Sequence, residues 1–181
     1  MRESVVIVPF DANWRSEFAD IGANLRRALA DRAVRIDHIG STSIAGLDAK
    51  PVIDVQVSVR GLTDLEAISD ALTGLGYVLR ADNPDLTKRY YRESEGMRRT
   101  HIHVREHGSF SEQLSLLFRD YVRAHAHEAK RYAAIKHSLA KSHRHERDRY
   151  VEEKEPYIWD MLRSASKWSQ QTGWRPGASD M

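Results

Sequence analysis

HIGSTSIAGLDAKPVIDVQVSV, residues 38–59, is the stretch whose reading decides the fold of this chain. In its second half, Pro51 to Val59, the β-branched apolar residues Val52, Ile53, Val55, Val57 and Val59 dominate, and such residues fit a pleated, buried surface. A strand is predicted, with Asp54, Gln56 and Ser58 on one side because side chains alternate between faces. The first half closes another strand, Val34 to Ile39, in which Val34, Ile36 and His38 share one face and Arg35, Asp37 and Ile39 the other. It runs directly into the small-residue turn Gly40-Ser41-Thr42-Ser43, and Lys50-Pro51 then precedes the valine-rich run. A hydroxyl-rich turn beside an acidic strand suits phosphate chemistry: free backbone N–H groups and hydroxyls cradle phosphate oxygens, and the carboxylate holds a divalent metal. The same hydroxyls serve equally well as helix caps and turn formers, so both readings of Ser41, Thr42 and Ser43 stand on the residues alone. Asp54 lies among apolar neighbours, where a lone charge is costly and needs a partner, and Lys50 is the expected counter-ion.

Outward from this stretch the pattern alternates between helix and strand. Val5 to Val8 is a short strand-like run. Trp14, Phe18, Ile21, Leu25 and Leu29 recur at three- and four-residue steps, which predicts an amphipathic helix over residues 11–30. Leu62, Leu65, Ile68, Leu72 and Leu75 mark a second helix, closed near Gly76, and Tyr77-Val78-Leu79 reads as a strand. Residues 88–93 and 98–106 form an expected antiparallel pair around Ser94-Glu95-Gly96, with His101 and His103 on one face of the second member. From Ser111 onward helical spacing returns, enough for two or three helices. The fold class predicted is α+β, a small mixed sheet flanked by helices with a C-terminal helical segment.

At 181 residues, a single domain is expected over residues 1–168, with residues 169–181, containing Gly173, Pro176 and Gly177, as a flexible tail. Hydrophobic residues at 41% and charged residues at 30% exclude wholesale disorder. The absence of cysteine excludes disulfides, thiolate metal sites and thiol nucleophiles. No apolar run reaches the roughly 18 residues of a spanning helix, and the start MRESVVIVPF lacks a cleavable leader, so a cytoplasmic protein with no membrane partner is expected. A net charge of +2 gives the whole molecule little pull toward nucleic acid, although basic residues outnumber acidic ones from Arg119 to Arg149. His125, His127, His137, His143 and His145 in that region read as a solvated basic face rather than a metal site, since His143 and His145 point apart on a helix.

The stretch at 38–59 resembles the signature of the GrpB family, which also occurs fused behind dephospho-CoA kinase in some bacteria. THIHV at 100–104, LFRDYVRAH at 117–125, YAAIKHSLA at 132–140 and YVEEKEPYI at 150–158 extend the likeness over most of the chain. The resemblance implies a nucleotidyltransferase-like fold that carries the Gly-Ser loop and Asp54 side by side. It also implies a nucleotide such as ATP, or another phosphorylated small molecule, as ligand, and Mg2+ or Mn2+ as the ion. Active nucleotidyltransferases hold two metals with two carboxylates one residue apart and a third on a later strand. Here Gln56 takes the second position, a neutral amide that coordinates magnesium poorly, and His101 and His103 stand on the later strand.

Two readings follow. In the first, Gly40, Ser41, Thr42, Ser43 and Lys50 bind nucleotide phosphates, Asp54 places a metal, and Asp54, Gln56, His101 and His103 form the catalytic set. Arg119 and Lys136, inside family-like motifs, then contact the anionic ligand. In the second, which Gln56 favours, the pocket belongs to a non-catalytic module that binds a similar ligand or assists a protein partner. The chain lacks a GxxxxGK[ST] phosphate loop, so it is not itself the kinase half of such a fusion.

Overall fold

The valine-rich run becomes β2 (Ile53–Val59), and in the computed structural model, which describes residues 4–63 and 65–181, it pairs on both sides. Residues 1–3, part of the start read above for a leader, lie outside the described residues. β1 (Ala33–Ile39) runs antiparallel to β2, and β5 (Thr100–Glu106) runs parallel to it. β4 (Lys88–Glu93) and β3 (Tyr77–Leu79) complete a five-stranded mixed sheet in the order β1-β2-β5-β4-β3.

The two faces of this sheet differ sharply in chemistry. Ile36, Ile53, Val55, Val57, Ile102, Val104 and Tyr91 build the main core with Trp14, Phe18, Leu25 and Leu29 of α1 (Asn13–Leu29) and with Ile68 and Leu72 of α2 (Glu66–Gly74). Each such side chain, once fully buried, stabilises the fold by about 1.5–3 kcal/mol. The opposite face is polar across four strands, because the register places Asp37 beside Gln56, Asp54 beside His101, Gln56 beside His103 and Tyr90 beside His103. It is roofed by the C-terminal helices α3 (Phe110–Ala124), α4 (Ala126–Ser142) and α5 (Arg147–Thr172). These carry a second core of Tyr121, Val122, Tyr132, Met161 and Ala165 around Ile44 and Leu47 of the loop after β1.

The α+β class and the helix–strand order match the expectation, with two departures. Val5 to Val8 forms no strand: Val8 bridges to Ala49, while Val5 N–H donates to Arg144 O, so the two ends of the run pair with different segments. The tail from residue 173 is docked rather than loose. Met181 N–H donates to Ile36 O, Ile36 N–H to Ser179 Oγ and His38 N–H to Asp180, so the segment covers the open edge of β1. Glycine and proline there serve a return path instead of disorder. Among the described residues, no helix is long and apolar enough to cross a membrane.

Candidate functional site

Where β1 ends, Gly40 turns the chain with φ +71°, a region that side chains disfavour. A Cβ at this position would lie 2.5 Å from Asp54 Oδ2 and 2.9 Å from Asp54 Cβ. Glycine is therefore needed here for contact as much as for conformation: it lets the Asp54 carboxylate lie against the backbone of the turn. Ser43 Oγ donates to Gly40 O at 2.6 Å and Thr42 Oγ1 to Val52 O at 2.9 Å. The Thr42 hydroxyl proton is thus committed, so the 3.1 Å contact with His38 Nε2 has the ring donating to Thr42. His38 itself stacks on Phe18 at 4.6 Å, and burial lowers its pKa to about 4. Of the three hydroxyl residues, Thr42 and Ser43 hold the loop together, while Ser41 lies beside Tyr132 at the cavity wall.

Asp54 finds its partners on β5. His101 Nδ1 lies 3.2 Å and His103 Nε2 3.4 Å from the same oxygen, Asp54 Oδ1. Burial by itself would raise the carboxyl pKa, but the hydrogen bonds from His101 and His103 outweigh it and hold Asp54 well below the usual carboxylate range. Burial lowers His103 to about 4 even though Asp54 pulls it upward, so at neutral pH it donates as a neutral ring with its proton on Nε2. The remote nitrogens, His101 Nε2 and His103 Nδ1, are buried and have no partner among the described residues. Lys50, expected to neutralise Asp54, makes no ion pair with it among the described residues; the Asp54 carboxylate is met instead by His101, directly opposite on β5, and by His103, one step along the same face.

The Asp54 side chain forms part of the floor of a 190 Å³ cavity whose walls include Ser41, Lys50, Lys136, Arg147, Tyr150 and Lys154. Burial lowers Lys50 to about 8, aided by Arg147 and Lys154, and lowers Lys136 to about 7. Lys154 is lowered as well, chiefly by burial. Lys50 and Lys154 approach the Tyr150 ring at 6.0 and 5.2 Å, and Lys136 lies 4.7 Å from the Tyr132 ring while donating to Asp48 O. Among the described residues, none of the three lysines has a carboxylate within ion-pair distance.

Two residues expected in the site are elsewhere engaged. Arg119, only 3% exposed, pairs with Asp120 at 2.8 Å and Asp180 at 3.0 Å and donates to His38 O at 3.2 Å. Its guanidinium joins α3, β1 and the C-terminal segment, and Arg119 is not among the residues lining the cavity beside Asp54. Gln56 shares the face of Asp54 but is fully buried: Arg105 donates to its Oε1 at 2.7 Å, and its Nε2 donates to Glu112 O at 3.4 Å. The place where a second metal carboxylate would act is filled by a packed structural amide. His143, read as part of a solvated face, is buried and bonds Glu153 at 2.8 Å.

Arg147, Tyr150 and Lys154, by contrast, were not singled out from the sequence as site residues. Their three- and four-residue spacing does place them on one side of a helix, a pattern shared by many solvated helix faces. A larger cavity of 1140 Å³ opens on the other side of the loop, toward α1 and α4, and contains none of Asp54, His101 or His103. Its Arg123 donates to Ser43 O and its Asp48 is held by His137.

Asp54, His101 and His103 each present one ligand atom, and these atoms lie within 4.8 Å of one another. The chemistry of that donor set, one carboxylate and two imidazoles, fits a single divalent ion and not a two-ion carboxylate cluster.

Comparison with known proteins agrees with this architecture. The sequence profile described as GrpB protein matches residues 4–164. The chain is 31% identical over 195 residues to a dephospho-CoA kinase of Mycobacterium tuberculosis, covering 94% of this chain and 48% of that protein, so it spans about half the length of this relative. The solved structure of conserved protein GrpB from Enterococcus faecalis superposes with a TM-score of 0.83 at 26% identity, covering 91% of this chain and 99% of that one. Cid1, solved in complex with its short product ApU, superposes with a TM-score of 0.51 at 16% identity over 75% of this chain and 43% of its own, a likeness of fold.

Proposed function

This chain belongs to the GrpB family, and from that premise we propose that its Asp54 cleft binds the phosphates of a nucleotide or another phosphorylated small molecule and transfers a nucleotidyl or phosphoryl group. The observation that carries the reading is the convergence of Lys50, Lys136, Lys154 and Arg147 on one cavity, the lysines without counter-ions among the described residues. Desolvated ammonium groups repel one another, and a polyphosphate would neutralise them while taking hydrogen bonds from each. Relatives named for a kinase of dephospho-CoA devote about half their length to this domain, which supports a phosphorylated ligand. In nucleotidyl transfer an acceptor oxygen would bond the α-phosphorus as the bond to pyrophosphate breaks, the acceptor proton passing to solvent. The clustered cations would stabilise the charge that develops on the departing oxygens. A divalent ion at Asp54 would add charge neutralisation when bound.

The second reading, a non-catalytic binding or accessory module, is favoured by Gln56, whose sealed amide removes one carboxylate of the ordinary catalytic set. Calorimetry with ATP, GTP and CoA precursors separates presence from absence of a phosphate site. Binding is expected, and Lys154→Met should weaken it at least tenfold, about 1.4 kcal/mol. Failure of all these ligands to bind, or unchanged affinity in both Lys154→Met and Lys50→Met, would sink the proposal. Release of pyrophosphate or nucleoside diphosphate decides for the enzyme; tight binding without release decides for the module.

A further inference from the structure

The polar face of the sheet brings one carboxylate and two imidazoles together, with Asp54 and His101 lining the cationic cavity. We infer that Asp54, His101 and His103 form a three-ligand site for one zinc-class transition-metal ion, with its open coordination positions facing the Lys50–Lys154 cavity. The inference deepens the function proposed above and rests on it only for what the ion would do once bound; the binding site itself stands on geometry.

Three features carry it. First, spacing: His101 Nδ1 and His103 Nε2 stand 3.2 and 3.4 Å from Asp54 Oδ1. Ligands about 2.0–2.1 Å from a tetrahedral zinc are separated by roughly 3.3–3.4 Å, so an ion could enter this group with little displacement of the backbone. Second, rigidity: the donors sit on adjacent positions of two paired strands, Asp54 opposite His101 and Gln56 opposite His103. Tyr90 of β4 packs against both rings, at 5.5 Å from His101 and 5.2 Å from His103, and orients them in place of the carboxylate that more often stands behind a ligating imidazole. Third, donor chemistry: magnesium demands an octahedron of oxygens, whereas imidazole prefers zinc and its neighbours in the series. The next residue on that strand face, which could have supplied a second carboxylate, is Gln56, already bonded to Arg105 and Glu112. Magnesium and manganese, the ions that the family resemblance implies, are the poorer fit to these donors.

Without metal, the two ring nitrogens facing the carboxylate must carry protons, since ionised Asp54 only accepts. Ligation moves each proton to the remote nitrogen. His101 Nε2 and His103 Nδ1 have no partner among the described residues that would forbid this tautomer. No group is oxidised or reduced in the exchange. The bound ion would face the cavity from the Asp54 side, opposite the lysines, so that an anionic ligand can bridge the two.

The test uses the full chain, stripped with chelator and free of nucleotide. Titration with ZnCl2 should show one ion bound, and titration with CoCl2 should give the visible absorption of four- or five-coordinate cobalt with nitrogen ligands. His101→Gln and His103→Gln should each weaken zinc at least tenfold and abolish that absorption while the melting profile stays cooperative. Lys154→Met should retain it. No cobalt band in the wild-type protein overturns the inference without recourse to any variant. So does magnesium binding as tightly as zinc and unchanged in both histidine variants. Nucleotide binding that survives in chelator without any zinc site would leave the phosphate reading standing alone, and zinc binding without nucleotide binding would do the reverse.

Discussion

Lys136 is 2% exposed, yet among the described residues its ammonium has no carboxylate partner, and its pKa is lowered to about 7. Burial is the main cause, with Lys154 adding to it and Asp48 opposing it. Between pH 7 and the ordinary lysine value of 10.5, an unfolded chain would hold a proton at this residue that the folded one has lost. Folding therefore gains from Lys136 as pH rises through that window, and below about pH 7 the cost of burying the charged form is fully present. Lys136→Met should raise stability by an order of about 1–3 kcal/mol at pH 6. The gain should shrink toward pH 9, and phosphate binding should be lost at every pH. Melting curves from pH 6 to 9 beside calorimetry check this; a variant less stable than wild type at pH 6 would show that the bond to Asp48 O and the Tyr132 contact outweigh desolvation. A residue that destabilises the empty site while facing its cavity is the signature of a group retained for a ligand. The motif around Lys136 suggests an anionic ligand in the sequence, but its burial depends on Tyr132, Lys154 and Asp48, which are distant in sequence or on other turns.

At the scale of elements, α3 decides what remains open on the polar face. Its start is set by Ser109, whose hydroxyl accepts from Glu112 N–H, while the Glu112 carboxylate accepts from Gly108 N–H at 2.7 Å. Serine followed three residues later by glutamate is a recognisable start signal, yet the helical spacing was read only from Ser111, so this cap was missed. Ser109→Ala should lower stability by about 0.5–1 kcal/mol, measurable as a shift in urea midpoint with unchanged slope. A change in slope instead would mean that the cap governs docking of the whole helix. Once seated, α3 places Glu112 and Ser115 against Gln56 and Arg105 and so seals that part of the sheet. Asp54, one step along the same face, lies beyond the part that α3 seals and shares a cavity with Arg147, Tyr150 and Lys154 of α5. β2 was legible because its alternation is strong; the role of α5 was not, since its cations look like any solvated helix face until the sheet lies beneath them.

For the molecule as a whole, the C-terminal segment acts as a clasp. Arg35 donates to Gly177 O at 2.8 Å, Asp180 pairs with Arg119, and Trp174 Nε1 donates to Asp120 at 3.2 Å. Met181 also lies where a side chain at position 22 would stand, so Gly22, which weakens α1 locally, makes room for it. Ending the chain after Gly173 should remove these bonds, uncover the β1 edge and leave Arg119 short of a counter-ion. With each bond contributing about 1 kcal/mol, a fall in Tm of roughly 5–10 °C is expected by calorimetry. An unchanged Tm would mean that the segment is undocked in solution.

By itself the sequence determined the α+β class, the strand carrying Asp54, the hydroxyl-rich turn beside it and the likeness to one family. These depend on local spacing and on residue types that few other structures tolerate. Only the tertiary structure decided that histidines rather than a lysine face the carboxylate, that Gln56 and Arg119 are internal, and that α5 supplies the cavity with cations. Register between strands and the docking of helices are long-range choices, set by packing between residues far apart in the chain.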